Sequence, residues 1–118
     1  MADDVLACLY DIRSAAIAII EFRNGKSLFD YEADDFLRSA IERKFEIMGE
    51  ALTRIRKTNA PLLDRIRDHR RIISFRNILV HGYDSIDNEI VWGIIENDLD
   101  QLLTDVETLL NDFGSGAE

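Results

Sequence analysis

The sequence predicts an all-α fold, an antiparallel bundle of three long helices and one or two short ones. Three observations predict it. Apolar residues recur three and four apart through most of the chain. Six Gly and one Pro in 118 residues are too few turn formers for a β protein. A chain with 47% hydrophobic and 31% charged residues has material for one core and is too apolar for disorder. At this length one domain is expected, over residues 1–113, with GSGAE (114–118) as a frayed tail.

The elements follow in order. A first helix spans residues 4–24, with Val5, Leu6, Leu9, Ile12, Ala16, Ile19 and Ile20 on its buried stripe. Asp3 and Asp4 suit its positive end, and Asn24-Gly25 stops it. Residues 26–33 read as a loop. A second long helix spans 34–57, buried through Leu37, Ala40, Ile41, Ile47, Met48, Ala51, Leu52 and Ile55. Its acids lie in the first turn and its bases in the last, the polarity a helix dipole favours. Asn59-Ala60-Pro61 breaks the chain and starts a short helix over 61–68. The run 70–81 is rich in β-branched residues, but Arg70, Arg71, Arg76 and Asn77 break any alternation, and a helix ending at Gly82 is expected. Ser85 or Asp87 caps a last helix over 88–112. Its seam is Val91, Ile95, Leu99, Leu102, Val106, Leu109 and Phe113. Ile90, Ile94, Leu103 and Leu110 widen that apolar surface beyond what one neighbour covers, which points to a second chain.

Several classes are excluded. The lone Cys8 allows neither a disulfide framework nor a multi-Cys zinc site. No HExxH pattern, Gly-rich phosphate loop or nucleophile elbow occurs. No metal and no cofactor is expected. MADDVLAC lacks the basic start of a signal peptide, and no apolar run nears the ~20 residues of a membrane span. A cytoplasmic domain without membrane contact is the expectation.

The net charge is −9, the wrong sign for coating nucleic acid. Its distribution qualifies this. Arg54, Arg56, Lys57, Arg65, Arg67, Arg70, Arg71 and Arg76 crowd residues 54–76 against only Asp64 and Asp68, whereas residues 77–118 hold no Lys or Arg and ten acids. The basic stretch is either a solvated face paired with the acidic helices or a local anion site fenced by negative surface.

Chemistry concentrates in Arg76-Asn77-Ile78-Leu79-Val80-His81-Gly82-Tyr83. Arg76 and His81 are five apart, about 140° on an unbroken helix. A helix that loosens at His81, ahead of Gly82, brings the ring back toward the guanidinium. Asn77 and His81 share a face, and Tyr83 falls in a loop where its hydroxyl is exposed. His shuttles protons near neutral pH. Arg clamps phosphate and stabilises developing charge. The pair suffices for transesterification of RNA without a metal. The structural alternative is a helix-end His acting as a cap and an Arg in an ion pair. Arg70 and Arg71 are candidate RNA phosphate contacts or salt-bridge partners of the last helix. His69 is a short-helix cap or a weaker RNA contact. Glu50 is a solvated position or a partner for Arg76 across the bundle, and Cys8 and Trp92 belong to the core.

At these residues the sequence resembles the HEPN superfamily, specifically the HepT-type toxins encoded beside minimal nucleotidyltransferase antitoxins. Arg76, His81 and Tyr83 reproduce the family's Arg, four residues, His, one residue, Tyr, with Asn77 as the polar residue after the Arg. ERKFEIMGEAL (42–52), with Glu50 inside Gly-Glu-Ala, and FRNILVHGYDSID…VW (75–92) are similar to the family's second helix and core. One departure is Asp68-His69-Arg70-Arg71, where the family carries a Pro-Trp-like turn. The resemblance implies a homodimeric all-α bundle whose two Arg–His motifs line a shared cleft. It implies a metal-independent endoribonuclease toxin acting on RNA. It further implies a cognate minimal nucleotidyltransferase antitoxin that transfers AMP to Tyr83, placing a bulky anion beside Arg76 and His81. The competing reading, motivated by the acidity and the spare apolar surface, is a non-catalytic helical binding subunit of a nucleotidyltransferase complex.

Overall fold

A computed structural model describes the backbone of residues 3–82 and 86–116, and the side chains of 4–82 and 86–113. Every element in it is helical: α1 (Asp3–Arg23), α2 (Leu28–Ala33), α3 (Asp35–Asn59), a 3-10 turn (Ala60–Arg65), α4 (His69–His81), α5 (Asn88–Asn97) and α6 (Leu99–Gly116). The all-α expectation holds, with more and shorter pieces than the periodicity alone suggests.

The core joins the stripes read from the sequence. Leu9, Ile12 and Ile19 of α1, Ile41, Phe45, Met48, Leu52 and Ile55 of α3, and Leu99, Leu102, Val106 and Leu109 of α6 are all fully buried. The central helix, α3, packs on α1 on one side and on α4 on the other, while α1 also lies along α6. Two ion pairs mark the antiparallel course of α1 and α6: Arg13 with Glu107 at 3.3 Å and Arg23 with Asp100 at 2.9 Å. Phe45 of α3 meets Phe75 of α4 edge-on at 5.2 Å between ring centres, an arrangement favoured by the aromatic quadrupoles.

Two expectations are corrected. The segment 26–33 is not a loop throughout, because Ser27 and Asp30 form a reciprocal capping box that starts α2. That short helix buries Tyr31 against Trp92, 5.4 Å between ring centres, and burial raises the Tyr31 phenol above its usual range. The single last helix is two. At Asp98 the backbone leaves helical values (φ −122°), although its N–H still reaches the Ile94 carbonyl. Asn97 and Asp98 are weak helix formers, and the Asp98 carboxylate turns to Arg67 and Arg71 at 3.5 and 3.6 Å.

The other boundaries follow from local chemistry. Asp34 and Asp87 accept backbone hydrogen bonds as the N-caps of α3 and α5. Ser85, the other expected cap, lies outside the described residues. The surplus apolar surface of the last seam is real at Ile90, which is exposed, and partial at Leu103 and Leu110, whereas Ile94 is buried. No described helix is long and apolar enough to cross a membrane.

Candidate active site

The site begins with a glycine. Gly49 of α3 is buried, and a Cβ built there would lie 2.2 Å from Cβ and 2.7 Å from Cγ of Arg76. Only a residue without a side chain lets α4 approach this closely. The backbone of Arg76 is thereby pressed onto α3, and its side chain emerges beside Glu50. There Nη2 donates to the Glu50 carboxylate and Nη1 to Oδ1 of Asn77, the latter at 3.1 Å. Glu50 thus takes the role of cross-bundle partner. The Arg76 side chain is 23% exposed and that of Glu50 49%, so solvent reaches the pair. Such a pair adds about 0–1 kcal/mol to stability and matters more for orienting the guanidinium.

Arg76 and Glu50 open onto a cleft of about 200 Å³ between α3, the C-terminal half of α4 and α1. Asp11, Arg43, Arg54 and Val80 also line it. The sequence reading does not place Arg54 at the site, although Glu50 and Arg54, four apart on α3, share a face. Arg43 is tied to Glu46 at 3.2 Å. Arg54 is exposed and has no ion pair among the described residues, so it joins Arg43 and Arg76 as the third guanidinium at an opening that Asp11, Glu46 and Glu50 also line. Cys8 is buried, and its burial pushes the thiol up, an effect Arg54 partly offsets.

The imidazole stands elsewhere on α4. The expected loosening ahead of Gly82 does not occur, and His81 remains the last helical residue. Gly82 adopts the left-handed conformation (φ 68°) and donates its N–H to the Ile78 carbonyl, which keeps the final turn helical through His81. The offset of about 140° from Arg76 therefore persists. Arg76 faces α3 while His81 is exposed on the last turn, on the same side as Asn77. Tyr83 lies outside the described residues.

The two candidate phosphate contacts separate. Arg71 is bound to Asp68 at 3.4 Å and to Asp98 at 3.6 Å. Arg70 is exposed, without an ion pair among the described residues, and edges the cavities on both flanks of α4. His69 opens α4, half-buried, its Nδ1 3.0 Å from the Ile66 carbonyl. Asp68 holds a left-handed backbone (φ 61°), unusual for a residue with a side chain. Burial and the neighbouring Asp98 carboxylate push its carboxyl above its usual range, against the pull of Arg71.

The family described as ribonuclease HepT-like matches residues 12–109 of this sequence, most of its length. The chain belongs to the ribonuclease HepT-like family. Relatives agree. The protein named "Putative RNase MJ1380" of Methanocaldococcus jannaschii is 32% identical over 104 residues, covering 88% of this chain and 94% of its own. The "Probable ribonuclease HepT" of Thermococcus cleftensis is 30% identical over 101 residues, 86% of this chain and 91% of its own. "Putative RNase TTE0752" of Caldanaerobacter subterraneus is 28% identical over 92 residues, 78% and 81%. No solved structure gives a significant match. The matched stretch of this HepT-like chain contains the whole cleft except Asp11, together with Arg76, Asn77, His81 and Tyr83.

Proposed function

We propose that this HepT-like protein is a metal-independent endoribonuclease of HEPN type, the toxin of a toxin–antitoxin module, active as a homodimer. The observation that carries the reading is the placement of Arg76 and His81. One helix offers a guanidinium at a cleft wall and an imidazole on its open end, about 140° apart. Within one chain they do not converge on one phosphate. Two copies meeting along α4 would bring the His81 of each beside the Arg76 of the other, with four catalytic groups lining one groove.

The chemistry then follows from the side chains. An imidazole takes the proton of the ribose 2′-OH as that oxygen attacks the adjacent phosphorus. The new P–O bond closes a 2′,3′-cyclic phosphate while the bond to the 5′-oxygen breaks. That oxygen takes a proton from water, and the imidazolium returns its own proton to solvent. Arg76, aimed by Glu50 and Asn77, neutralises charge building on the non-bridging oxygens. Arg54 adds a second cation at the same mouth.

Control would come from a cognate minimal nucleotidyltransferase. The Tyr83 phenol oxygen attacks the α-phosphorus of ATP, pyrophosphate leaves, and the phenol proton passes to solvent. The resulting phosphodiester, two residues from His81, would repel an RNA phosphate and occupy its guanidinium.

The test uses purified protein and a labelled RNA in excess EDTA. Cleavage leaving cyclic-phosphate ends, abolished by His81→Ala with the fold intact by circular dichroism, is the expected result. Cleavage that persists in His81→Ala, or that requires added metal, overturns the reading. Incubation with the nucleotidyltransferase and ATP should add mass in AMP units, absent in Tyr83→Phe. Stable association without modification or cleavage would favour the binding-subunit reading.

A further inference from the structure

An acidic chain that acts on RNA must separate its few useful cations from its acids, and the basic segment 54–76 is divided in this way. Arg65 is held by Asp112 at 2.8 Å, Arg67 by Asp98 at 3.5 Å, Arg71 by Asp68 and Asp98, and Arg76 by Glu50. Three of these four are neutralised from the acidic α5–α6 side or by Asp68. Arg54, Arg56, Lys57 and Arg70 are exposed and have no ion pair among the described residues. These four cations gather on α3 and on the first turn of α4, away from the partners that α6 supplies.

Two of them share a second cavity. Where the N-terminal half of α4 crosses the end of α3, a space of about 390 Å³ is lined by Arg56, Pro61, Leu63, His69, Arg70 and Ile73, with Asp64 and Ala60 completing the wall. Its walls combine flat apolar surface with two guanidinium groups. That combination suits a nucleotide unit of single-stranded RNA, whose base packs on apolar surface or on an Arg plane while its phosphate takes the charge. Asp64 can accept a hydrogen bond from a ribose hydroxyl or a base amine. From Arg70 to Arg76 the axis of α4 rises about 9 Å and turns by about 120°, so a strand that joins the two cavities wraps part-way round α4. The stretch 77–118, with ten acids and no Lys or Arg, offers a polyanion no competing cations.

We propose that Arg56 and Arg70 form an accessory RNA subsite that grips the strand one cavity away from the Arg76 cleft, and that Arg71 takes no part in it. The inference rests on the ribonuclease reading. The strand passes along the α3–α4 seam, held at one end by Arg56 and Arg70 and cleaved at the other. The subsite governs affinity for longer RNA, and its occupancy is read in KM.

The experiment measures binding of a labelled unstructured RNA to cleavage-deficient His81→Ala protein across a salt series. Adding Arg56→Ala and Arg70→Ala should weaken binding and make the log–log salt slope shallower by about 1.4, some 0.7 for each phosphate no longer neutralised. Adding Arg65→Ala and Arg67→Ala, which removes the same charge at neutralised positions, should leave the slope unchanged. In the otherwise wild-type chain, the Arg56/Arg70 pair of substitutions should raise KM for long RNA while kcat holds. Equal slopes for the two double variants overturn the subsite, even where the wild type cleaves RNA. Polyglutamate that competes as well as RNA overturns the assignment to a nucleotide. A wild type that neither binds nor cleaves RNA removes the ribonuclease reading and the subsite together. Thermal melts of both double variants should match the parent, since all four side chains are exposed.

Discussion

Gly49→Ala is the perturbation that most sharply couples fold to site. In a solvent-facing helix this substitution stabilises by about 1 kcal/mol, because Ala is the better helix former. Here the new Cβ would sit 2.2 Å from Cβ of Arg76, 2.7 Å from its Cγ and 3.3 Å from the Ile72 carbonyl oxygen. Carbon atoms in contact settle about 3.5–4.0 Å apart, so α3 and α4 must part by roughly 1.3 Å or more. The clash involves backbone-borne atoms, which no rotamer change relieves. Overpacking of this kind costs about 1–3 kcal/mol, and it loosens the packing of Phe45 on Phe75 beside it. Set against the propensity gain, the net expectation is a loss of up to about 2 kcal/mol, or a fall in Tm of up to roughly 8 °C for a chain of this size. Thermal and urea melts followed by circular dichroism give the number. Because Arg76 itself is displaced, RNA cleavage at a temperature where the variant is fully folded should drop as well. A Tm equal to or above that of the parent, with full cleavage, would refute the close approach of α3 and α4 and the placement of Arg76 built on it.

Other outcomes follow from the same neighbourhood. Glu50→Ala should change stability by less than about 1 kcal/mol, as for a solvent-reached ion pair, yet lower kcat, with Glu50→Gln restoring part of the loss. Asp68→Asn should raise Tm at neutral pH. Its carboxyl titrates above the unfolded value because of burial and the neighbouring Asp98 carboxylate, so the charged form costs stability at neutral pH, and that cost is relieved as pH falls through the folded pKa toward 3.8. Melts between neutral pH and pH 4 should therefore show a pH-dependent component in the parent that the Asn variant lacks. Asn also tolerates the left-handed backbone at that position, and a lower Tm for Asp68→Asn at neutral pH would contradict this account.

Much of the bundle is legible in the sequence because long amphipathic stripes and end-chemistry agree. α1, α3 and α4 begin and end within two residues of the positions that spacing and caps give. α2 is hidden because a six-residue helix has too few turns for a periodicity. Only its Ser27-x-x-Asp30 box and the buried Tyr31 mark it. The break at Asp98 is equally hidden, since the apolar seam runs through it uninterrupted, and the arginines that meet its carboxylate, Arg67 and Arg71, are distant in sequence. At the site, Arg76, Asn77 and His81 are visible as polar interruptions of an apolar run. Their divergence is not, because it depends on whether Gly82 ends the helix after or before His81. Nor can spacing decide which arginines are paired. Arg70 and Arg71 are neighbours in sequence, yet only Arg71 faces the acids of the α5–α6 junction.

The most direct measurement concerns the two groups that one helix holds apart. Arg76→Ala and His81→Ala chains, each purified, would be assayed on RNA alone and after co-refolding as a mixture. The account predicts that neither cleaves by itself and that the mixture does, since a mixed pair retains one groove with an intact guanidinium from one copy and an intact imidazole from the other. A mixture as inactive as its parts, beside a wild type that cleaves, would contradict it.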